Sequence, residues 1–244
     1  MEMSTMERAW LVGDSKFKTN FLHVCETLAN SNRLYETFRR DPFIHVVMEN
    51  TNEEWMRKAY AELQQTDPEL LTHLDKFASS DLYGGPETFF IDGHILAPTT
   101  MRYIYTLGLL RKFFGSLDGK RIIEIGGGYG GQCKIIHDLY KPALYAIYDL
   151  PQVQKMARRY LDDFDIAPYF ASSIEEKECD ILIAWCSWSE LDVATKKEYA
   201  EKVIFKAQHY FICSNYNMPE DMRILNSNYT QVFKNSLVEN ILIL

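Results

Sequence analysis

The sequence predicts an α/β fold: a doubly wound, mostly parallel sheet with an antiparallel C-terminal strand, preceded by a helical region. Three observations carry this. From Arg121 onward, short β-rich runs alternate with longer helical segments. Two of those runs, "RIIEI" and "DILIAW", are almost wholly apolar, as in parallel strands covered on both faces. Between the first strand and the helix after it stand five glycines within six residues, in "EIGGGYGGQC". Right-handed β-α-β crossovers then give a three-layer, Rossmann-like sheet.

The elements follow in order. Residues 19–39 place Phe21, Leu22, Cys25 and Leu28, then Leu34, Tyr35 and Phe38, at helical spacing, interrupted near "NSN". A further helix is expected over 52–65. Glycine and proline punctuate "DLYGGPETFFIDGHILAPTT", which reads as a structured loop, and Pro98 opens an apolar helix running to Phe114 and closed by Gly115. Helical periodicity gives way to strand-helix alternation near Gly119, so the chain divides into a helical region, 1–118, serving as lid or oligomer contact, and a sheet domain, 119–244. Within the latter the expected order is strand 121–125, helix 131–140, strand 143–148, helix 151–163, a strand near 168–171, strand 180–185, helix 193–207 and strand 209–213. Two further strands come from "YTQVFKN" and "ENILIL".

Composition narrows the partners. The 244 residues carry a formal net charge of −8 and 47% hydrophobic residues, with no stretch that concentrates Lys and Arg, which argues against a nucleic-acid or anionic-membrane partner. No run reaches the roughly 18 apolar residues of a membrane span. The N-terminus lacks the apolar core of a signal peptide. Five scattered cysteines without C-x-x-C spacing read as reduced thiols of a cytoplasmic protein. The histidines lack ligand spacing, so no metal site is expected.

In a doubly wound sheet the ligand lies outside the carboxyl ends of the strands, where strand order reverses. The glycine loop leaves the first strand there. It satisfies the dinucleotide pattern as Gly126-x-Gly128-x-x-Gly131, and the S-adenosyl-L-methionine pattern as an acid two residues before Gly126-x-Gly128-x-Gly130. Asp149, 19 residues after Gly130 at the end of the next strand, suits the ribose hydroxyls of either. Glu124 separates the two. A carboxylate there repels a pyrophosphate but attracts an ammonium and a sulfonium. No Tyr-x-x-x-Lys pair of a short-chain dehydrogenase occurs.

The segments "IIEIGGGYGGQCKII", "YDLPQVQ", "CDILIAWCSWSEL" and "FICSNYN", with the lead-in "GGPETF" and "PTTMRYIYTLGLLRKFFGSLDGK", resemble the sugar O-methyltransferase family of class I S-adenosylmethionine-dependent methyltransferases over about residues 80–217. The resemblance implies methyl transfer to a hydroxyl of a sugar, nucleotide-sugar or glycan. It implies that Glu124, Gly126, Gly127, Gly128, Tyr129 and Gly130 line the methionine end, that Asp149 binds the ribose and that Leu150 lies beside the adenine. Where many class I enzymes carry an acid after the third strand to bind the adenine amino group, this chain departs from the pattern with Ala171-Ser172-Ser173, which is read either as a hydroxyl contact to the adenine from Ser172 or Ser173 or as a plain turn. Trp185 and Cys186, leaving the fourth strand, face cofactor or acceptor.

An alcohol is a weak nucleophile near neutral pH, so a base adds to the rate. Glu190 in "SWSEL" is the first candidate, in a loop left open if Thr195 and Glu198 form a capping box that starts the next helix later. His94 in "FFIDGHILAP" is the second. Tyr129, Gln132, Asn215 and Tyr216 offer hydrogen bonds and stacking to a sugar. Cys133 reads as a small buried residue. The alternatives are an NAD-dependent sugar-modifying enzyme and a catalytically inactive methyltransferase-like binding protein.

Overall fold

Aspartate, asparagine, serine and proline start most of the N-terminal helices. In the computed structural model, which describes residues 5, 6, 9, 13–213, 223–225, 231–233, 237 and 241–243, Asp14 caps helix α1 (Ser15–Asn30) by accepting from the Phe17 amide. Helix α2 (Asn32–Tyr35) follows, then α3 (Pro42–Met48), which begins at an Asp-Pro step, as does α5 (Pro68–Leu71). Helix α4 (Glu53–Thr66) is capped by Asn52, and α6 (Leu74–Ala78) leads into a short 3₁₀ turn, Ser79–Leu82. Residues 81–100, expected as a loop, contain a β-hairpin. Its strands β1 (Phe89–Ile91) and β2 (His94–Leu96) are joined by Asp92 and Gly93, both with positive φ, as a tight hairpin turn demands. The expected apolar helix is α7 (Pro98–Phe114), ended by Gly115 at φ 71°.

The chain packs as two units. The first holds the described residues up to Ser116 together with Gly128–Leu139 and Gln152–Ala167. It therefore includes helix α8 (Gly131–Leu139) and nearly all of helix α9 (Pro151–Asp162), which pack with the N-terminal helices. Lys134 of α8 is buried and donates to the Lys76 carbonyl, Ser79 and Asp138. On α9, Tyr160 donates to the Ser80 carbonyl at 3.0 Å, and Arg159 reaches the Leu28 and Ala29 carbonyls from above the Tyr35 ring.

The second unit holds the sheet. Strands β3 (Arg121–Ile125), β4 (Leu144–Tyr148), β5 (Tyr169–Phe170), β6 (Cys179–Trp185), β7 (Ala207–Cys213), β8 (Gln231–Phe233) and β9 (Ile241–Ile243) are ordered β5-β4-β3-β6-β7-β9-β8. The five strands from β5 to β7 are parallel, and β9 lies antiparallel between β7 and β8. This is the expected α/β Rossmann-like sheet with its antiparallel C-terminal strand. From β3 the chain runs outward through β4 and β5, then returns past β3 to β6. The order reverses between β3 and β6, which makes their carboxyl ends the ligand crevice.

Both faces of the central strands are buried. Ile123, Ile125, Ala146, Tyr148, Leu182, Ala184, Tyr210 and Ile212 face one side, against Trp188, Tyr199, Val203 and Ile204. Ile122, Glu124, Tyr145, Ile147, Ile181 and Ile183 occupy the alternate positions and are buried too. Helix α10 (Ser187–Glu190) and helix α11 (Val193–Lys202) complete the unit. Helix α11 is shorter than expected, because a 3₁₀ turn takes over at Ile204–Lys206. Among the described residues, no helix is long and apolar enough to cross a membrane.

Candidate functional site

The acid at the penultimate position of β3 is held inside the sheet. Glu124 is 4% exposed and pairs across the ladders with Ile147 of β4 and Ile183 of β6. Tyr145, two residues before Ile147 and hence on the same face, donates its hydroxyl to Glu124 Oε2 at 2.8 Å. Burial pushes the Glu124 carboxyl up to about 7; the Tyr145 bond pulls it down, and the neighbouring Asp149 charge pushes it up again. No Lys or Arg among the described residues offsets that charge.

The turn after β3 is fixed from the β6 side. The Gly126 amide donates to the Tyr148 carbonyl at 2.8 Å, and Ser187 donates its hydroxyl to the Ile125 carbonyl. Gly126 sits at φ 75°, and a Cβ on it would fall 2.2 Å from the Ser187 Cβ. A Cβ on Gly127 would stand 2.7 Å from Ile147 and 3.3 Å from Glu124 Oε2. Only glycine lets this backbone lie so close to the carboxylate. Gly128 and Gly130, at φ 55° and 92°, carry the chain into α8.

At the end of β4, Asp149 is half-buried and takes a hydrogen bond from the Leu150 amide at 2.7 Å, while Leu150 is 50% exposed. Ser172 and Ser173 follow β5 after the buried Ala171 and are exposed. Trp185, the last residue of β6, stacks on Phe211 with ring centroids 6.2 Å apart. Cys186 takes a positive φ of 61°, uncommon outside glycine, and turns the chain from strand into α10. Glu124, Gly126, Gly127, Asp149, Leu150, Ser172, Trp185 and Glu190 all belong to the sheet unit, at or beyond the carboxyl ends of its strands. The donor set suits S-adenosylmethionine: a buried carboxylate that no cation among the described residues offsets, a glycine turn tight against it, and a second carboxylate one strand away.

Several expectations need correction. Tyr129 does not offer its side chain to a ligand: it is 1% exposed, and its hydroxyl donates to Glu49 at 2.7 Å. Gln132 is likewise buried, with Nε2 donating to the Tyr103 carbonyl at 3.3 Å. Glu190 does not lie in an open loop but ends the helical turn α10, where it is exposed. The cap of α11 is Asp192, which accepts from the Thr195 amide and hydroxyl, so Thr195 and Glu198 form no capping box; Glu198 pairs with Lys202 instead. His94 is on strand β2 rather than in a loop, its Nδ1 3.1 Å from Asp75 Oδ1. Cys133 is buried as expected, near His137 Nδ1. Asn215 and Tyr216 lie outside the described residues.

Tyr145 and Ser187 were not legible in the sequence. Tyr145 meets Glu124 only through the β3–β4 register, and Ser187 meets Ile125 only through the crossover to β6. Among the described residues, no three His, Cys, Asp or Glu cluster to hold a metal ion.

No family model matches the chain. It is similar to demethylspheroidene O-methyltransferase of Rhodobacter capsulatus, with 35% identity over 51 residues, or 21% of this chain. The matched stretch spans 13% of that relative's length. Among solved structures, the chain is similar to magnesium protoporphyrin IX methyltransferase from Synechocystis PCC 6803 with bound S-adenosylmethionine, at 13% identity and a TM-score of 0.46, over 58% of this chain and 76% of that one. It is also similar to mitomycin 7-O-methyltransferase, at 12% identity and a TM-score of 0.43, over 59% of this chain and 56% of that one.

Proposed function

We propose that the chain is an S-adenosylmethionine-dependent O-methyltransferase acting on a hydroxyl of a sugar, nucleotide-sugar or glycan. One observation carries the cofactor: Glu124 is buried beneath the glycine turn with a tyrosine hydroxyl but, among the described residues, no cation beside it. A buried carboxylate in that state calls for a positive ligand. The methionine end of S-adenosylmethionine supplies an ammonium and a sulfonium, whereas a dinucleotide would bring phosphates. Asp149 receives the ribose hydroxyls, Leu150 covers one face of the adenine, and Ser172 accepts or donates at its edge. The sugar acceptor rests on the sequence resemblance.

When bound, the cofactor supplies a methyl group already activated by the adjacent sulfonium. The chain has then to hold the acceptor oxygen in line with the C–S bond, at roughly 3–3.5 Å from the carbon, and to take its proton. Trp185 at the strand end presents an apolar wall to the acceptor. Glu190, exposed on the turn beyond β6, accepts the proton. His94, with its Nδ1 3.1 Å from Asp75 Oδ1, is the second candidate.

Isothermal titration with S-adenosylmethionine, S-adenosylhomocysteine and NAD tests the cofactor, and methyl-labelled cofactor incubated with a panel of nucleotide-sugars and glycans tests the acceptor. Binding of both adenosyl ligands and not of NAD is expected, and binding of NAD alone would overturn the proposal. Labelled product confined to non-carbohydrate hydroxyls would remove the sugar while keeping the methyl transfer.

A further inference from the structure

Tyr129 is the one side chain in the glycine loop that the proposed chemistry does not use, standing between Gly128 and Gly130. Its ring meets those of Phe38, Tyr103 and Tyr160 edge-on, with centroids 5.3, 6.1 and 5.0 Å away. Its hydroxyl donates to Oε1 of Glu49 at 2.7 Å. Glu49 follows helix α3, and its neighbour Met48 stands 3.5 Å from the position of a Cβ on Gly128. Arg102 holds the same short segment, donating to the Met48 carbonyl at 2.9 Å and to Asn50 at 3.3 Å.

Behind Glu49 lies Arg39, whose side chain is wholly buried. It binds Glu49 at two points, Nε to Oε1 at 2.8 Å and Nη2 to Oε2 at 3.1 Å, and Asp81 Oδ1 at 2.6 Å. Asp81 also accepts from Thr100 at 2.6 Å and from the Ala97 amide at 2.7 Å. All of these residues belong to the first unit. A buried guanidinium with two carboxylates is a poor way to gain stability, since apolar side chains of equal volume often hold helices together as well or better. What such a network does provide is one fixed geometry. It ends on Tyr129, between two glycines at positive φ, where the backbone has the fewest restraints of its own.

We infer that Glu49 is a positioning residue for the glycine loop. By holding the Tyr129 hydroxyl it fixes Gly128 and Gly130 in the arrangement that receives the methionine end of the cofactor, and Arg39 holds Glu49 in turn. This rests on the cofactor reading above, and two readouts keep the two separable: hydrogen exchange of residues 126–131 without ligand, and calorimetric affinity for S-adenosylhomocysteine.

Three variants of the full chain test it. Tyr129→Phe deletes only the hydroxyl, and is expected to speed loop exchange and weaken S-adenosylhomocysteine each by about tenfold. Glu49→Gln loses charge against Arg39 and so loosens the group that holds the Tyr129 hydroxyl; its melting temperature falls, and loop exchange and affinity move in the direction of Tyr129→Phe, by less. Asp81→Asn damages the network on the side that does not touch Tyr129, and should lower the melting temperature with exchange and affinity unchanged. Wild-type exchange and affinity in Tyr129→Phe would overturn the inference. So would an Asp81→Asn loop as loose as that of Tyr129→Phe, which would reduce the network to general stability. If the wild-type chain binds neither adenosyl ligand, the cofactor reading fails, and loop exchange in Tyr129→Phe and Glu49→Gln together still decides whether Glu49 anchors the loop through the Tyr129 hydroxyl.

Discussion

Tyr145 donates its hydroxyl to Glu124 from the neighbouring parallel strand, at 2.8 Å, inside a sheet whose other partners at that level are isoleucines. The bond satisfies one lone pair of the carboxylate and, among the described residues, leaves its charge without a counterion. That imbalance distinguishes a ligand-binding acid from a structural one, because a structural carboxylate at this depth would be paired.

Replacing Glu124 with glutamine should separate binding from folding. The amide keeps the shape and an acceptor for Tyr145 but removes the buried charge, so the ligand-free variant should resist urea at pH 8 at least as well as the wild type. Its affinity for S-adenosylhomocysteine should fall by about 10- to 100-fold, the worth of a hydrogen bond to a charged group. Unchanged affinity in calorimetry would take Glu124 out of the cofactor site.

Stability and binding should respond to pH in opposite directions. The Glu124 pKa is raised in the folded chain from 4.5 to about 7. Between those values the folded chain keeps a proton that the unfolded chain has released. The stabilisation is complete below the unfolded pKa and is lost as pH rises through the folded one, a fall of about 3 kcal/mol. Urea unfolding of the ligand-free chain from pH 4.5 to 8 should show this loss, and Glu124→Gln should lack it. A cationic ligand prefers the ionised form, so its affinity should rise by about tenfold per pH unit towards 7 and level off above. A flat affinity profile over that range would be inconsistent with ion pairing to Glu124.

The sheet was readable because its strands are continuous apolar runs with a glycine turn at the switch point, and Glu124 because it is the one acid in the first of them. The hairpin around Asp92-Gly93 carried its own signal, an Asp-Gly step between apolar residues, but the surrounding glycines and prolines resembled a loop. Helices α3 and α5 were announced by Asp41-Pro42 and Asp67-Pro68, yet each is too short to show periodicity. Tyr129 and Gln132 were misread for a different reason. Polar residues beside a glycine loop suggest a ligand surface, whereas their partners, Glu49 and Tyr103, are remote in sequence and no local pattern reveals them.

Gly126 should tolerate no side chain. Alanine there adds a Cβ 2.2 Å from the Ser187 Cβ and forces an L-residue to φ 75°. The second effect alone costs about 1–2 kcal/mol, and the clash adds to it. Chemical denaturation of Gly126→Ala should show a loss of more than about 2 kcal/mol. Pairing it with Ser187→Gly should recover the steric part but not the backbone part. Complete rescue by the second change would mean that the positive φ carries no cost here.

The last test concerns the base. Glu190 ends the turn after β6 and is exposed, in the same unit as Glu124 and at the same edge of the sheet. A carboxylate so placed can take the acceptor proton without touching the cofactor, so its loss should appear in turnover alone. Glu190→Gln should lower kcat by about 10²- to 10⁴-fold, the usual worth of general-base catalysis, with S-adenosylhomocysteine affinity unchanged. His94→Gln provides the contrast, since His94 sits beside Asp75 on the β1–β2 hairpin. Near-normal turnover in Glu190→Gln together with a collapsed kcat in His94→Gln would transfer the role to the histidine.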